Sequence, residues 1–240
     1  MAVSSESHAA TPATVTTAVP RTVHSYAARG RMTKSQRHAV ETLWPRYGVA
    51  AEAGPLDLEQ TFGRHAPCCM EIGFGMGDAL VAMASAHPDK NYIGVDVYPP
   101  GIGSTLRKID AAQLRNVRLL WGDAAVLTAT VIPAGSLETV YIFFPDPWPK
   151  KRHHKRRLVQ PPLAHLLAGR LAPGGRLHLA TDWEDYAGHM LEVLGGTPGL
   201  VNIAGADQFV PRPLERPLTK FERRGQRLGH GVWDLVFTRA

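Results

Sequence analysis

Cysteine is nearly absent from this chain of 240 residues: there are two, Cys68 and Cys69, and they are neighbours. Adjacent cysteines rarely satisfy disulfide geometry and a single pair makes no zinc site, so a disulfide scaffold is excluded and no metal is expected. A reducing cytoplasm is the expected compartment, with both thiols acting as small core residues. Long apolar runs are missing as well. No stretch approaches the roughly 18 residues that a membrane span needs, and the first residues lack the basic-then-apolar order of a signal segment. Charge is scarce in residues 1–20, which are rich in Ala, Ser and Thr without apolar periodicity and are expected to form a disordered tail.

What is present suits one α/β domain with an N-terminal extension. Hydrophobic residues make up 44% and charged residues 20%, enough apolar material for one sizeable core. Residues 21–50 read as a basic segment followed by a helix, capped near Thr33 or Ser35 and ending before Pro45 or at Gly48. Over 51–240, short apolar strands are expected at 67–72, 92–97, 117–121, 139–144, 176–180, 200–203 and 232–238. Helices are expected between them at 78–86, 101–114, 124–131, 158–171 and 183–194, the fourth closed by Pro173-Gly174-Gly175. Alternation of this kind implies a doubly wound, mostly parallel sheet of seven strands with helices on both faces. In such sheets ligands lie at the carboxyl ends of the strands, which is where chemistry is to be sought.

The first of those ends reads Glu71-Ile72-Gly73-Phe74-Gly75-Met76-Gly77-Asp78. Gly73, Gly75 and Gly77 allow a tight turn and a close backbone approach to a ligand, and the next helix aims its free N–H groups there. The spacing differs from the G-x-G-x-x-G of dinucleotide folds, and a carboxylate at Glu71 disfavours a diphosphate. It suits a cationic ligand bearing an ammonium and a sulfonium. The next three strands end at Asp96, Asp123 and Asp146. Asp96 is placed for ribose hydroxyls and Asp123 for an adenine amino group. Four acids at one edge point to S-adenosylmethionine.

The net charge is +6, and much of the basic charge lies in one run, Lys150-Lys151-Arg152-His153-His154-Lys155-Arg156-Arg157, directly after Phe144-Pro145-Asp146-Pro147-Trp148-Pro149. A cationic run beside a candidate catalytic loop is expected to hold RNA phosphates. With these motifs, with Thr181-Asp182, and with Thr219-Lys220-Phe221-Glu222-Arg223-Arg224-Gly225, the chain resembles the bacterial single-subunit tRNA (guanine-N7-)-methyltransferases. Ser25-Tyr26, Arg29-Gly30-Arg31-Met32-Thr33 and Gly229-His230-Gly231-Val232-Trp233 also match, so the likeness spans nearly everything after the tail. The resemblance implies a Rossmann-like class I methyltransferase forming 7-methylguanosine in the tRNA variable loop. It implies that Glu71, Asp96, Asp123 and Asp146 contact S-adenosylmethionine. Lys150, Asp182, Thr219, Lys220, Phe221 and Glu222 would contact the substrate, and Arg152, His153, His154, Lys155, Arg156 and Arg157 the RNA. The working unit would be a monomer or weak homo-oligomer in the cytoplasm. One departure is visible: the family usually has glutamate where this chain has Asp96.

Guanine N7 carries an in-plane lone pair, so methylation there needs no strong base, nucleophile or metal; alignment and electrostatics should suffice. Asp146 is the candidate catalytic residue. A carboxylate accepts from guanine's N1–H and amino group together, and the flanking prolines stiffen its loop. Trp148 either stacks on the target base or packs beneath the loop. The basic segment around Arg29 and Arg31 is expected to clamp the RNA or fold over the cofactor, while His165, His189 and His230 read as structural. Three rivals remain at this stage: a methyltransferase acting on another RNA or a small molecule, a nicotinamide-dependent oxidoreductase, and a non-catalytic RNA-binding protein.

Overall fold

The computed structural model describes residues 30–50, 54–218, 222 and 231–240. Residues 1–29, and with them the tail and Arg29, lie outside the described residues. In chain order the elements are α1 (Lys34–Tyr47), α2 (Leu58–Phe62), β1 (Cys68–Ile72), α3 (Asp78–Ala86), β2 (Asn91–Asp96), α4 (Pro99–Ala111) and β3 (Val117–Trp121). They continue with α5 (Ala124–Thr130), β4 (Leu137–Phe143), a 3-10 helix (Lys151–Arg156), α6 (Pro161–Arg170), β5 (Leu171–Thr181), α7 (Glu184–Gly195), β6 (Leu200–Asn202) and β7 (Trp233–Arg239).

Alternating hydrophobicity builds the sheet. Cys68, Met70 and Ile72 point to one face of β1 and Cys69 to the other, and both cysteines are free and buried. The seven strands lie in the order β3-β2-β1-β4-β5-β7-β6, with β1 to β5 parallel and β7 antiparallel to both its neighbours. One core cluster joins Ile72, Val95, Ile142 and Leu179 to Leu163, Leu167 and Met190 of α6 and α7. The other joins Cys69, Tyr92 and Leu119 to Leu80, Ile102 and Leu106 of α3 and α4, with Ala39 and Tyr47 of α1. The strand order reverses direction between β1 and β4, which opens the crevice where ligands bind in doubly wound sheets.

Two local expectations need correction. The chain does not leave α6 through a Pro-Gly-Gly loop into a separate strand. β5 starts at Leu171, pairs with Leu137, then shifts register so that Arg176 faces Thr139. Gly175 permits the close backbone approach at this irregularity, since a Cβ there would stand 2.8 Å from the Ala172 carbonyl and 2.9 Å from that of Leu137. The basic run, read only as charge, forms the 3-10 helix Lys151–Arg156. By contrast, α1 begins as its sequence implies, with Thr33 and Gln36 forming a capping box.

Between β6 and β7, the described residues 210–218 and Glu222 pack against β7 and β5. Val210 bridges Asp234 of β7, and Arg216 is fully buried below it. Arg216 donates to both oxygens of Glu222, at 2.7 and 3.0 Å, and through Nη2 to Asp234 Oδ2 at 3.1 Å. Its Nε lies 2.7 Å from Asp234 Oδ1 but is bent away from hydrogen-bond alignment. His178 of β5 adds a 2.9 Å contact to the same carboxylate, and Arg212 pairs with Glu222 at 2.9 Å. Glu222 was expected to contact substrate; its carboxylate is buried in this ionic anchor instead. Replacing Arg216 by alanine strands two buried carboxylates, so Arg216→Ala should lose about 3–5 kcal/mol in urea unfolding.

Candidate active site

Because β1 to β5 run parallel, their carboxyl ends share one edge. A cleft of about 660 Å³ opens there, a size typical of small-molecule sites. Its lining brings together Gly73, Gly75, Asp96, Asp123, Phe144 and Asp146 with Lys155, Arg156, Leu163 and Leu166. The turn after β1 holds Gly73 at φ +76° and Gly75 at φ +55°, left-handed values that suit glycine. A Cβ at either would meet no protein atom within 4 Å; both glycines therefore leave their backbone open to the cleft they line.

Three of the four strand-end acids line this cleft, and Glu71 lies beneath it. Asp96 is buried; its Oδ2 accepts from Gly75 N–H at 2.7 Å and its Oδ1 from Tyr98 N–H at 2.9 Å, tying the glycine turn to the end of β2. Burial raises the Asp96 pKa, these backbone donors pull it back, and the nearby Asp146 raises it again. Asp123 caps α5 through Oδ1, accepting from Ala125 and Val126 at 2.8 and 3.1 Å, so Oδ2 takes no part in the cap. Glu71 is 3% exposed, and its Oε2 is buried without a hydrogen-bond partner. Burial, and then the charge of Asp96, push its carboxyl up to about 8. Neither Glu71 nor Asp96 has a cationic side chain paired with it among the described residues. An orphaned carboxylate beneath an open glycine turn, facing like charges, fits a ligand that brings its own positive charge.

The loop after β4 is held from several sides. Phe144 N–H donates to the Ala180 carbonyl at 2.8 Å, and Phe144 and Trp148 both adopt positive φ, +51° and +46°. Trp148 is buried, with His153 edge-on at 5.9 Å and the Arg156 guanidinium 5.1 Å above its ring. Trp148 thus packs beneath the loop and also lines the cleft. Arg157 needs a plain correction, since its side chain is 1% exposed and is not presented to RNA. It donates to the Pro147 carbonyl at 3.0 Å, pairs with Asp185 of α7, and stacks 4.8 Å over the Tyr186 ring. That pairing holds Asp185 below the ordinary carboxylate range. Lys150, Lys151, Arg152 and Lys155 are exposed, while His153, His154 and Arg156 are half-buried. Partial loss of solvent, and then the surrounding cations led by Arg156, hold His153 below its ordinary pKa.

Gly77 is the other correction. It turns away from the cleft, and a Cβ there would stand 2.2 Å from Thr105 Oγ1 of α4. Its role is close helix packing at the start of α3. Asp182 follows β5 at the same edge but is not among the cleft-lining residues. Thr219, Lys220 and Phe221 lie outside the described residues. Sequence reasoning missed Gly101, whose Cβ would stand 2.1 Å from the Gly75 carbonyl, and the Arg216 anchor. The Gly101-x-Gly103 spacing on a helix was the available signal for the former.

A mostly parallel sheet with a glycine turn and acids at its switch point defines a Rossmann-like methyltransferase. A family model described as a putative methyltransferase matches residues 65–235. Among solved structures, the 16S rRNA methyltransferase KamB superposes with a TM-score of 0.57 at 16% identity, covering 77% of this chain and 93% of that one. The aminoglycoside resistance methyltransferase NpmB1 gives 0.52 at 17% identity, covering 77% and 92%. At such identities these two speak to the fold alone. The tRNA (guanine-N(7)-)-methyltransferase of Hydrogenovibrio crunogenus is 51% identical over 232 residues, 95% of this chain and 97% of that protein. That of Alcanivorax borkumensis is 52% identical over 220 residues, 91% and 92%. The chain belongs to the tRNA (guanine-N(7)-)-methyltransferase family.

Two outcomes follow from the geometry. A raised Glu71 pKa means stability present below the ordinary value of 4.5 and lost as pH climbs through about 8. Ligand-free Glu71→Gln should therefore melt at a higher Tm than wild type near pH 8.5 and at a similar Tm near pH 4.5. It should also lose affinity for a cationic ligand, measured by calorimetry. Separately, Arg157→Ala should lower both Tm and turnover, whereas Arg152→Ala should leave Tm unchanged and weaken RNA binding alone.

Proposed function

We propose that the protein transfers the methyl group of S-adenosylmethionine to N7 of a guanine in the variable loop of tRNA, acting in the cytoplasm. The observation that carries this reading is a single cleft lined both by the carboxylates Asp96, Asp123 and Asp146 and by Lys155 and Arg156 of the cationic 3-10 helix. A small-molecule methyltransferase would leave that helix idle. A dinucleotide enzyme would have to place a diphosphate over the buried Glu71 carboxylate.

S-adenosylmethionine, when bound, supplies an electrophilic methyl group on a positively charged sulfur. The residues that would hold it are Gly73, Gly75, Glu71, Asp96 and Asp123: the turn by open backbone, the acids by charge and hydrogen-bond acceptance. Asp146 is half-buried at the cleft and close enough to influence Asp96. Its carboxylate accepts from the N1–H and amino group of guanine, a pair of donors no other base offers, and balances charge that builds on the purine. No proton has to leave N7, so what the chain contributes is placement. Phe144, Pro145 and Pro147 keep the loop stiff, while Arg157 fixes its far end to α7. Lys150, Asp182 and Thr219 to Glu222 belong to the substrate side of this reading, with Glu222 acting by anchoring its segment. Exposed Lys151, Arg152 and Lys155 hold phosphates. In A-form RNA the groove containing N7 is deep and narrow, so the target guanine is taken from a loop or drawn out of its stack.

Asp146→Asn should preserve Tm and S-adenosylmethionine affinity while cutting turnover by about 100-fold or more. The assay is labelled methyl transfer to bulk tRNA followed by mapping of the modified base. Near-normal turnover by the variant removes Asp146 from the mechanism, and methylation at another atom overturns the reading.

A further inference from the structure

The cations outside the basic run are not spread evenly. On α1, Lys34, Arg37 and His38 share the exposed face with Glu41, opposite the buried Gln36, Ala39 and Tyr47. Arg31, just before the helix, is exposed, and so is Arg107 of α4, whose guanidinium donates to Ser35 Oγ at 3.2 Å. Among the described residues, none of Arg31, Lys34, Arg37 and Arg107 is paired with a carboxylate. Cations nearby are treated differently: Lys108 pairs with Asp78 and Arg46 with Asp110.

The helix dipole sharpens the point. A helix N-terminus carries positive partial charge and favours acids, as α3 and α7 illustrate with Asp78, Glu184 and Asp185 in their first turns. The first turn of α1 has no acid, and Lys34 and Arg37 add positive charge there. Such an arrangement works against the stability of α1, so it needs another reason to exist. Position supplies one. A Cβ on Gly30 would stand 2.4 Å from the Tyr98 ring, and Tyr98 lines the cleft. The start of α1 therefore adjoins the cleft's rim beside β2, while the 3-10 helix flanks it beside β4.

We propose that Arg31, Lys34 and Arg37, with Arg107 of α4, form a second phosphate-binding surface that grips the backbone of the tRNA away from the methylated loop. The inference rests on the proposed tRNA substrate and deepens it. Phosphate contacts set register without reading sequence, and two flanking grips position one loop over the cleft better than one. A single polyanion spanning both rims accounts for both clusters, whereas a separate acidic protein at the α1 rim would obstruct the RNA.

The test is the double substitution Lys34→Gln/Arg37→Gln, with Arg115→Gln/Arg176→Gln as a control of equal charge at the opposite edge of the sheet. Fluorescence anisotropy with full-length tRNA over a salt series should show affinity about 5- to 30-fold weaker near 0.05 M salt, and a salt slope shallower by roughly 1.5–2. The tRNA KM should rise in parallel. kcat at saturating tRNA, S-adenosylmethionine affinity and Tm should hold, as should the rate on a short hairpin carrying only the target loop. The control pair should bind as wild type does. Unchanged affinity and slope in the α1 variant overturn the proposal, and so does an equal loss in the control, which would make net charge the cause. If wild-type protein methylates no tRNA, the proposed function fails, while the anisotropy series still decides whether this surface holds RNA phosphates.

Discussion

A carboxyl buried with an oxygen left unpartnered is costly in its charged form, and Glu71, pushed up to about 8, is such a group at the end of β1. Asp96 lies near enough to raise its pKa further, and Asp96 in turn feels Asp146. These acidic groups gather where strand order reverses and the glycine turn leaves an open space. The rest of the molecule is arranged around that imbalance. Backbone amides of Gly75 and Tyr98 hold Asp96, the cap of α5 holds Asp123, and a cationic ligand completes the site.

The cationic part of the cleft lining is built with equal economy. Trp148 lies under His153 and Arg156, and Arg157 joins Pro147 to Asp185, so these contacts tie the loop bearing Asp146 to the 3-10 helix and to α7. Cations of one short run thus divide their labour: Arg157 is structural ballast inside, while Lys151, Arg152 and Lys155 face solvent. The Arg216 anchor does the same for the segment ahead of β7, and its guanidinium also lies 5.7 Å from the Phe144 ring beside the cleft. Loop and anchor are therefore fixed against a common sheet, and they also meet at Phe144.

Much of this was legible in the chain itself. The expected strand at 117–121 and helix at 78–86 coincide with β3 and α3, and Thr33 caps α1 as its composition suggests. The short α2 and the 3-10 helix escaped notice because neither is long enough to show a period. Among site residues, the acids at strand ends were visible because a parallel sheet sends all its carboxyl ends to one edge. Gly77 and Arg157 were misread because each sits in a motif with neighbours that line the cleft or face the solvent.

Local pattern alone determined the alternation of strands and helices, the glycine turn, and the row of acids, since each depends on residues a few positions apart. Tertiary structure decided which way those side chains point. Arg157 is buried because Asp185 and Tyr186 come to it from α7, and Arg216 because Asp234 comes to it from β7. Burial and charge pairing are properties of distant neighbours, and only the folded sheet brings those neighbours together.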